Sequence, residues 1–367
     1  MKHRMPDVTN GKRKQKKMNK GIIILLLLFL SPSLLTAQKE KNFRVMCWNV
    51  ENLFDIRHDS LKNDYEFLPN ALRHWNYTRY KKKLVSIARV ITAVGEWTPP
   101  ALVGLCEVEN DRVMRDLVHY SPLKEHGYRY VMTHSPDERG IDVALLYQRD
   151  RFKLLFHRSV PIDNVHLHKR PTRDILHVCG LLSTGDSLDV LVVHLPSRSG
   201  GAKESEPYRL SVAKKIRLEA DSILTSRRRP QLIIMGDFND YPDNKSITEV
   251  LAAIAPPPYP EALKLYHLLA GKAKAGKHTF GSYKYQGEWG LLDHMIVSGT
   301  LLNISAPFFT NEERANVSRL PFLLSDDDKY GGKQPFRTYY GMKYLGGYSD
   351  HLPIYTDFEL KENQNSF

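Results

Sequence analysis

The chain has 367 residues, 42% of them hydrophobic and 26% charged. That is ordinary for a globular protein and enough to bury a large core, in one big α/β domain or two smaller ones. Its formal net charge is +12, but residues 1–37 hold eight Lys/Arg and one Asp and leave +5 for the remainder; a mildly basic surface suits a polyanionic substrate without demanding one. The three cysteines, Cys47, Cys106 and Cys179, exclude a complete disulfide framework by their odd number; they sit in apolar runs, match no zinc spacing and read as small buried hydrophobes.

The first segment reads as an export signal. Lys12, Arg13, Lys14, Lys16, Lys17 and Lys20 form a basic region, Gly21–Leu30 is apolar, Ser31-Pro32-Ser33 breaks the run, and Leu35-Thr36-Ala37 offers a small-residue cleavage point. This is the layout of a secretory signal peptide, and Met18 offers a second start with a full signal behind it. The apolar run falls short of the roughly 20 residues that a bilayer span needs, so cleavage is expected over an uncleaved anchor. No cysteine follows Ala37 to carry a lipid. Residues 1–37 are therefore read as a signal peptide, residues 38–367 as the folded domain, and the location as secreted or periplasmic.

Beyond it, Asn42–Val50 reads as a strand. Arg79–Gly95 places Leu84, Ile87, Ala88, Ile91 and Val94 on one helical face. Ala101–Glu107 is a short apolar strand after Pro99-Pro100, and Asp111–His119 is a helix with Asn110 as its cap. Tyr128–Thr133 and Ile141–Tyr147 pair around the turn-rich His134–Gly140. Arg151–Arg158, Ile175–Leu182 and Leu188–Val193 are further strands, the last ending at His194. Pro207–Thr225 is a long helix with Pro207 in its first turn. Gln231–Met235 is a buried strand closing on Gly236, and Ser246–Ile254 a helix stopped by Pro256-Pro257-Pro258. Phe280–Tyr285, Leu291–Val297 and Leu352–Phe358 are the last strands. Between them Phe308–Tyr348 is a long segment rich in Gly and Tyr and weak in periodicity, the pattern of a functional or structureless loop. Strands interleaved with few helices and many hairpins argue for one α/β domain with mixed sheets. No internal repeat and no interdomain linker interrupts it.

Groups that bind metals and phosphates recur where these strands end. They are Trp48-Asn49-Val50-Glu51-Asn52, Cys106-Glu107-Val108-Glu109-Asn110, Gly236-Asp237-Phe238-Asn239-Asp240 and Ser349-Asp350-His351, with His194 and Asp293 between them. Side chains alternate along a strand, so Asn49 and Glu51 share a face if the strand continues, and so do Asp237 and Asn239. A carboxylate beside an amide suits Mg²⁺, which prefers hard oxygen ligands, and suits phosphate, to which the amide donates. Taken singly each group has a plainer reading: Glu51, Asn52 and Glu109 as solvated residues, Asp237-Phe238-Asn239 as a turn, His194 as a satisfied core histidine. Two titratable groups, Asp350 and His351, directly before a buried strand are harder to explain that way.

Together, in this order, the motifs resemble the endonuclease/exonuclease/phosphatase superfamily, which includes DNase I-like nucleases, abasic-site enzymes, secreted sphingomyelinases and inositol-polyphosphate phosphatases. The resemblance runs from about Phe43 to Phe358. It implies a four-layer α/β sandwich, two mixed β-sheets packed face to face with helices outside. It also implies in-line attack of water on phosphorus. Glu107 would bind Mg²⁺ (Mn²⁺ or Ca²⁺ being the alternatives), with Asn49, Glu51 or Asp350 nearby. His351 would be general base or phosphate-stabilising imidazolium, oriented by Asp293. Asn239 and His194 would donate to the non-bridging oxygens, and Asp237 would position or deprotonate the water. Whether Asp237 or His351 is the base stays open.

The abasic-site branch has a tyrosine where this chain has His194 and an asparagine where it has Ser197, which argues against repair. That branch also carries an aromatic shortly before its strand aspartate; Trp289 sits one residue farther from Asp293 and reads as a packing tryptophan. In the loop after His194, Arg198 could fork onto a phosphate, with Arg209 in support. Arg337, Tyr339, Tyr340, Tyr344 and Tyr348 suit nucleotide stacking, a lipid headgroup, or plain loop packing. The expected substrate is nucleic acid or another phosphodiester. A phospholipid phosphodiesterase, a phosphomonoesterase and a non-catalytic binding protein are the alternatives. No protein partner is evident, and a monomer is expected.

Overall fold

In the computed structural model Met1, residues 41–162 and residues 171–361 are described. The expected signal peptide and its cleavage point lie outside them. Among the described residues no helix is long and apolar enough to cross a membrane.

Strand β1 (Lys41–Leu53) shows how the layers arise. Phe43, Val45 and Cys47 point into one apolar core, while Met46, Trp48 and Val50 point into another. A strand that is apolar on both faces must be covered on both. The first sheet also contains β2 (Leu102–Val108), β3 (Tyr128–Met132), β4 (Asp142–Gln148) and the C-terminal strand Ile354–Leu360. Its order is Phe308–Phe309, Ile354–Leu360, β1, β2, β4, β3, with Ala315–Val317 also on Ile354–Leu360. The second sheet contains β5 (Lys153–Val160), β6 (Ile175–Leu181), β7 (Ser187–His194), β8 (Leu232–Asp237), β9 (Leu265–His267) and the strand Asp293–Ser298. Its order is β5, β6, β7, β8, Asp293–Ser298, β9.

Both sheets are mixed. β1 and β2 are parallel, as are β7 and β8, and the other pairs are antiparallel. A parallel pair needs a long crossover. Helix α1 (Tyr77–Gly95) supplies the first and α3 (Ala202–Ser226) the second, with α2 (Asp111–Tyr120) following β2. Leu84, Ile87 and Ile91 of α1 and Met114 and Leu117 of α2 pack on the outer face of the first sheet. Ile216, Ala220 and Ile223 of α3 pack on the outer face of the second. Between the sheets Phe43, Val45, Val178, Val190, Met235, Met295 and Phe358 form the central core. The result is the expected four-layer sandwich. Asn110 caps α2 by accepting from Val113 N at 3.1 Å, and all three cysteines are free and buried.

Three elements differ from expectation. α3 begins at Ala202, so Pro207 lies inside it; Arg209 reaches back to Ser205 Oγ (2.7 Å) and Ala202 O (2.9 Å) and secures the extra turn. The helix expected over Ser246–Ile254 is a single π-helical turn, Ser246–Val250, ended by Ala252 at φ +52°. The late segment is ordered into short strands, two of them joining the first sheet and others pairing as Leu324–Asp326 with Lys333–Pro335 and Tyr339–Tyr340 with Lys343–Tyr344. Its aromatics pack under cations: Arg73 over Tyr339, Arg79 over Tyr344, Arg89 over Phe322. Of the four tyrosines named above, Tyr340 is the one left exposed, at 64%.

Candidate active site

The registers bring distant motifs to one end of the sandwich. In the second sheet His194 lies opposite Asp237, and Asp237 opposite Asp293. Gly236 makes the first pairing possible: its φ is +155°, and a Cβ there would sit 1.8 Å from Val193 O. In the first sheet Asn49 lies opposite Cys106, and the Ser349–His351 turn enters the strand that pairs with β1.

Asp237 Oδ2 is the focus. Asn49 Nδ2 donates to it at 3.0 Å, His194 Nε2 stands 3.6 Å away and His351 Nε2 3.8 Å away. Asp237 Oδ1 accepts from Asn239 N at 2.9 Å. His351 Nδ1 is 2.7 Å from Asp293 Oδ2, to which Ser282 Oγ also donates at 2.5 Å. Asp237, Asp293 and His351 are all buried. Burial pushes Asp237 up to about 7, with His351 opposing and Asp293 adding. Burial alone would lower His351, but the neighbouring charges of Asp293 and Asp237 overcome it and hold the imidazolium well above its ordinary range. Burial, aided by the charges of Arg173 and Arg139, holds His194 neutral, and its Nδ1 has no hydrogen-bond partner among the described residues. The backbone around this turn is tied down: Ser349 Oγ donates to Asn49 O, His351 N to Ser349 Oγ, and Trp48 Nε1 to His351 O.

Simple alternation fails at the two acidic strand ends. The β1–β2 ladder shifts register between Asn49 and Leu53, and the β2–β4 ladder between Cys106 and Val108. Glu51, Asn52 and Glu107 take positive φ (+55°, +56° and +65°), as bulges beside functional sites often do. Glu51 therefore does not share a target with Asn49. It is 7% exposed, and its oxygens accept from Thr338 N (2.5 Å) and Tyr339 N (3.2 Å). Glu109 is buried as well and accepts from Asp55 N, so neither is a solvated residue. Asn239, at φ +51°, turns its amide to Leu195 O at 3.0 Å.

Glu107 accepts from Asn52 N at 2.9 Å through Oε2, and its Oε1 has Arg139 at 3.9 Å. Asp350 is paired with Arg337 at 2.7 Å. The charges of Glu51, Asp350 and Glu107 all act on buried Lys83, which burial nonetheless lowers to about 8. Burial and Asp350 push Glu51 up to about 7. Arg198 stacks on Tyr241, 4.6 Å from the ring centre. Arg209 is not beside it in function: it is buried on Asp240 at 2.6 Å. Trp289 packs under Arg319. Sequence reasoning missed Ser282, Lys83, Arg139 and Arg173. A lysine one turn before Ile87 on the apolar face of α1 was the readable signal for Lys83.

The donors at the acidic strand ends fit a divalent metal. Glu107 Oε1 and Asp350 Oδ1 accept no hydrogen bond among the described residues, both are hard oxygens, and the carboxylate crowding here is what a cation would relieve. Asp237, Asp293 and His351 also offer ligand atoms within 4.8 Å of one another. There, however, His351 Nδ1 and Asp293 already share a proton at hydrogen-bond distance, so that trio is suited to handling protons.

Two mixed sheets thus bring a His–Asp pair and acidic strand ends together between their edges. Residues 44–360 match the Endonuclease/Exonuclease/phosphatase family, and the chain belongs to it. No curated protein matches the sequence. Among solved structures it is similar to a humanized D. rerio TDP2, with 14% identity, a TM-score of 0.52, and 87% of this chain and 99% of that one covered. It is similar to a Bacteroides thetaiotaomicron mannosyl-6-phosphatase, with 15% identity, a TM-score of 0.52 and coverage of 86% and 99%. An endonuclease/exonuclease/phosphatase family protein of the same organism gives 14%, 0.52, 88% and 99%. At such identities these likenesses speak for the fold.

Proposed function

We propose that this phosphoesterase is an exported, Mg²⁺-dependent phosphodiesterase of the nuclease type. The observation that carries the reading is the convergence of Asn49, His194 and His351 on one Asp237 oxygen, with His351 backed by Asp293. Asp237, with its carboxyl raised to about 7, is matched to remove a proton from water near neutral pH. His351 stays protonated and donates from Nε2 to the phosphate as charge builds there. Water oxygen bonds to phosphorus, its proton passes to Asp237, the ester P–O bond opposite breaks, and the departing oxygen is protonated from solvent. Neutral His194 donates a second hydrogen bond, and Arg198 holds a phosphate oxygen at the mouth. Glu107 and Asp350, with Asn49 beside them, would hold the metal, and the chemistry it would supply when bound is neutralisation of phosphoryl charge.

A chain substrate is favoured by the space beside the site. Two residues beyond Glu107, a cleft of about 600 Å³ opens between Glu109, Arg57, Arg112, Arg115 and His134. Asp59 and Asp111 line the cleft as well, but the guanidinium groups of Arg57 and Arg115 have no bonded partner among the described residues, and flanking phosphates can use them. Export rests on the basic and apolar runs before Ala37.

The test is a substrate panel: DNA, RNA, sphingomyelin, inositol phosphates and a sugar phosphate, each with Mg²⁺, Mn²⁺ and Ca²⁺. Cleavage of nucleic acid with Mg²⁺, abolished by a chelator, is expected. His351→Ala and Glu107→Ala should each lower kcat by about 10²-fold or more. Undiminished cleavage by the double variant would eliminate this site; preference for a sugar phosphate or lipid would replace the nuclease reading.

A further inference from the structure

We propose that Glu51 and Lys83 form a buried clamp that positions the Tyr348–His351 turn, making both of them positioning residues and Glu51 no metal ligand. The inference rests on the phosphoesterase reading above for its kinetic arm.

Glu51 lies in the ligand-rich first motif, yet its carboxylate is spent elsewhere. The bulge at Glu51–Asn52 rotates it away from Asp237 and onto the late segment, where both oxygens accept backbone N–H groups of Thr338 and Tyr339. A carboxylate with each oxygen already bonded to an amide is a poor candidate for an ion's coordination shell. Lys83 approaches the same segment from the helix layer. It is 2% exposed, on a helix face otherwise made of Leu84, Ile87, Ala88 and Ile91, and a buried ammonium is costly unless bonded. Its Nζ donates to Thr338 Oγ1 at 2.5 Å and to Tyr348 O at 2.6 Å.

Thr338 is thus gripped from two sides, by its N–H and by its hydroxyl. The grip extends to the reacting groups. Arg337, its neighbour, bonds Asp350 at 2.7 Å. Tyr348, held by Lys83, directly precedes Ser349, whose hydroxyl bonds Asn49 O and receives His351 N. Opposite charges on either side of one loop fix where Asp350 and His351 stand without either charge touching substrate. Sub-ångström placement is what such supports supply to an in-line reaction.

The experiment compares Glu51→Gln, Lys83→Met, Lys83→Arg and Thr338→Val, the last a near-isosteric change that leaves Lys83 its bond to Tyr348 O. Three readouts are taken: kcat and KM on the substrate found by the panel, Mg²⁺ binding by calorimetry, and amide exchange of residues 336–351. Lys83→Met and Glu51→Gln should lower kcat about 10- to 100-fold and Thr338→Val about tenfold, with KM and Mg²⁺ affinity within about twofold of wild type. Lys83→Arg should recover part of the loss. Amides of Thr338 and Ser349–His351 should exchange faster in every damaging variant. Weakened Mg²⁺ binding in Glu51→Gln, with kcat restored at saturating metal, would make Glu51 a ligand and overturn the proposal. Unchanged kcat and unchanged exchange in folded Thr338→Val would overturn it too. If wild type hydrolyses nothing, the functional reading fails, while exchange and metal binding still decide the clamp.

Discussion

Asp237 and His351 have opposite protonation requirements, and their surroundings move both in the useful direction. Asp237 must be ionised to take a proton; burial raises it to about 7, so the rate should rise as pH passes through neutrality. His351 must be protonated to donate; against burial, Asp293 and Asp237 hold it well above its ordinary value, so the rate should fall only at distinctly alkaline pH. A bell-shaped kcat profile results, whose limbs belong to the coupled pair. Asp293→Asn supplies the sign. Removing that charge takes away the main support of the His351 imidazolium and moves the alkaline limb down. It also removes a like charge from Asp237 and moves the acidic limb down. Both limbs should therefore travel to lower pH in a kcat profile of Asp293→Asn, with a lower maximum; limbs that stay or move up would refute these assignments. The same polarity explains why a neutral His194 is useful beside them: a second imidazolium next to His351 would compete for the same Asp237 oxygen.

At the scale of elements, the site depends on where strands stop. β7 and β8 run parallel so closely that Gly236 has no space for a side chain: a Cβ would meet Val193 O at 1.8 Å, a backbone atom that cannot swing aside. Gly236→Ala should cost about 3 kcal/mol in urea unfolding, and should separate His194 from Asp237 in whatever protein still folds; an unchanged midpoint would contradict this account. Such strand-end chemistry was legible in the sequence because Gly236-Asp237-Phe238-Asn239 and Ser349-Asp350-His351 concentrate polar groups against apolar runs such as Gln231–Met235. The long strands and α1 were legible for the same reason, a clear period of two or of 3.6. The bulges were not. Positive φ at Glu51 and Glu107 leaves no mark in residue pattern, so alternation assigned Glu51 the partners of Asn49. Nor was the late segment legible: its strands are two or three residues long, below any period, and its order comes from Arg73, Arg79, Arg89 and Lys83, contributed from more than 200 residues upstream. Pro207 misled for a local reason, since the turn before it is held by Arg209.

For the molecule as a whole, two sheets sharing one central core make stability a property of the entire sandwich, and buried titratable groups tie that stability to pH. The pair His267 and His294 is the clearest case outside the reacting groups. His294 is fully buried, stacked on Phe238 with ring centres 4.8 Å apart and tilted against His267 at 4.6 Å. Burial lowers His294 to about 4 from an ordinary 6.5, and burial with the neighbouring ring lowers His267 as well. The folded protein thus refuses protons that the unfolded chain accepts. The contribution is fully present above pH 6.5, declines as pH falls through the window down to about 4, and is gone below it. The His294 share is about 3 kcal/mol. His294→Gln removes the titration while a side-chain N–H can still reach Leu291 O, the partner of His294 Nε2 at 3.2 Å. Urea midpoints measured at pH 7.5 and pH 4.5 should drop steeply for wild type and less for His294→Gln, the difference between the two drops matching the His294 share. Parallel drops would mean that the acid sensitivity lies elsewhere, with carboxylates such as Asp189 and Asp327, whose folded forms are held ionised by His177 and Arg227 and by Lys284.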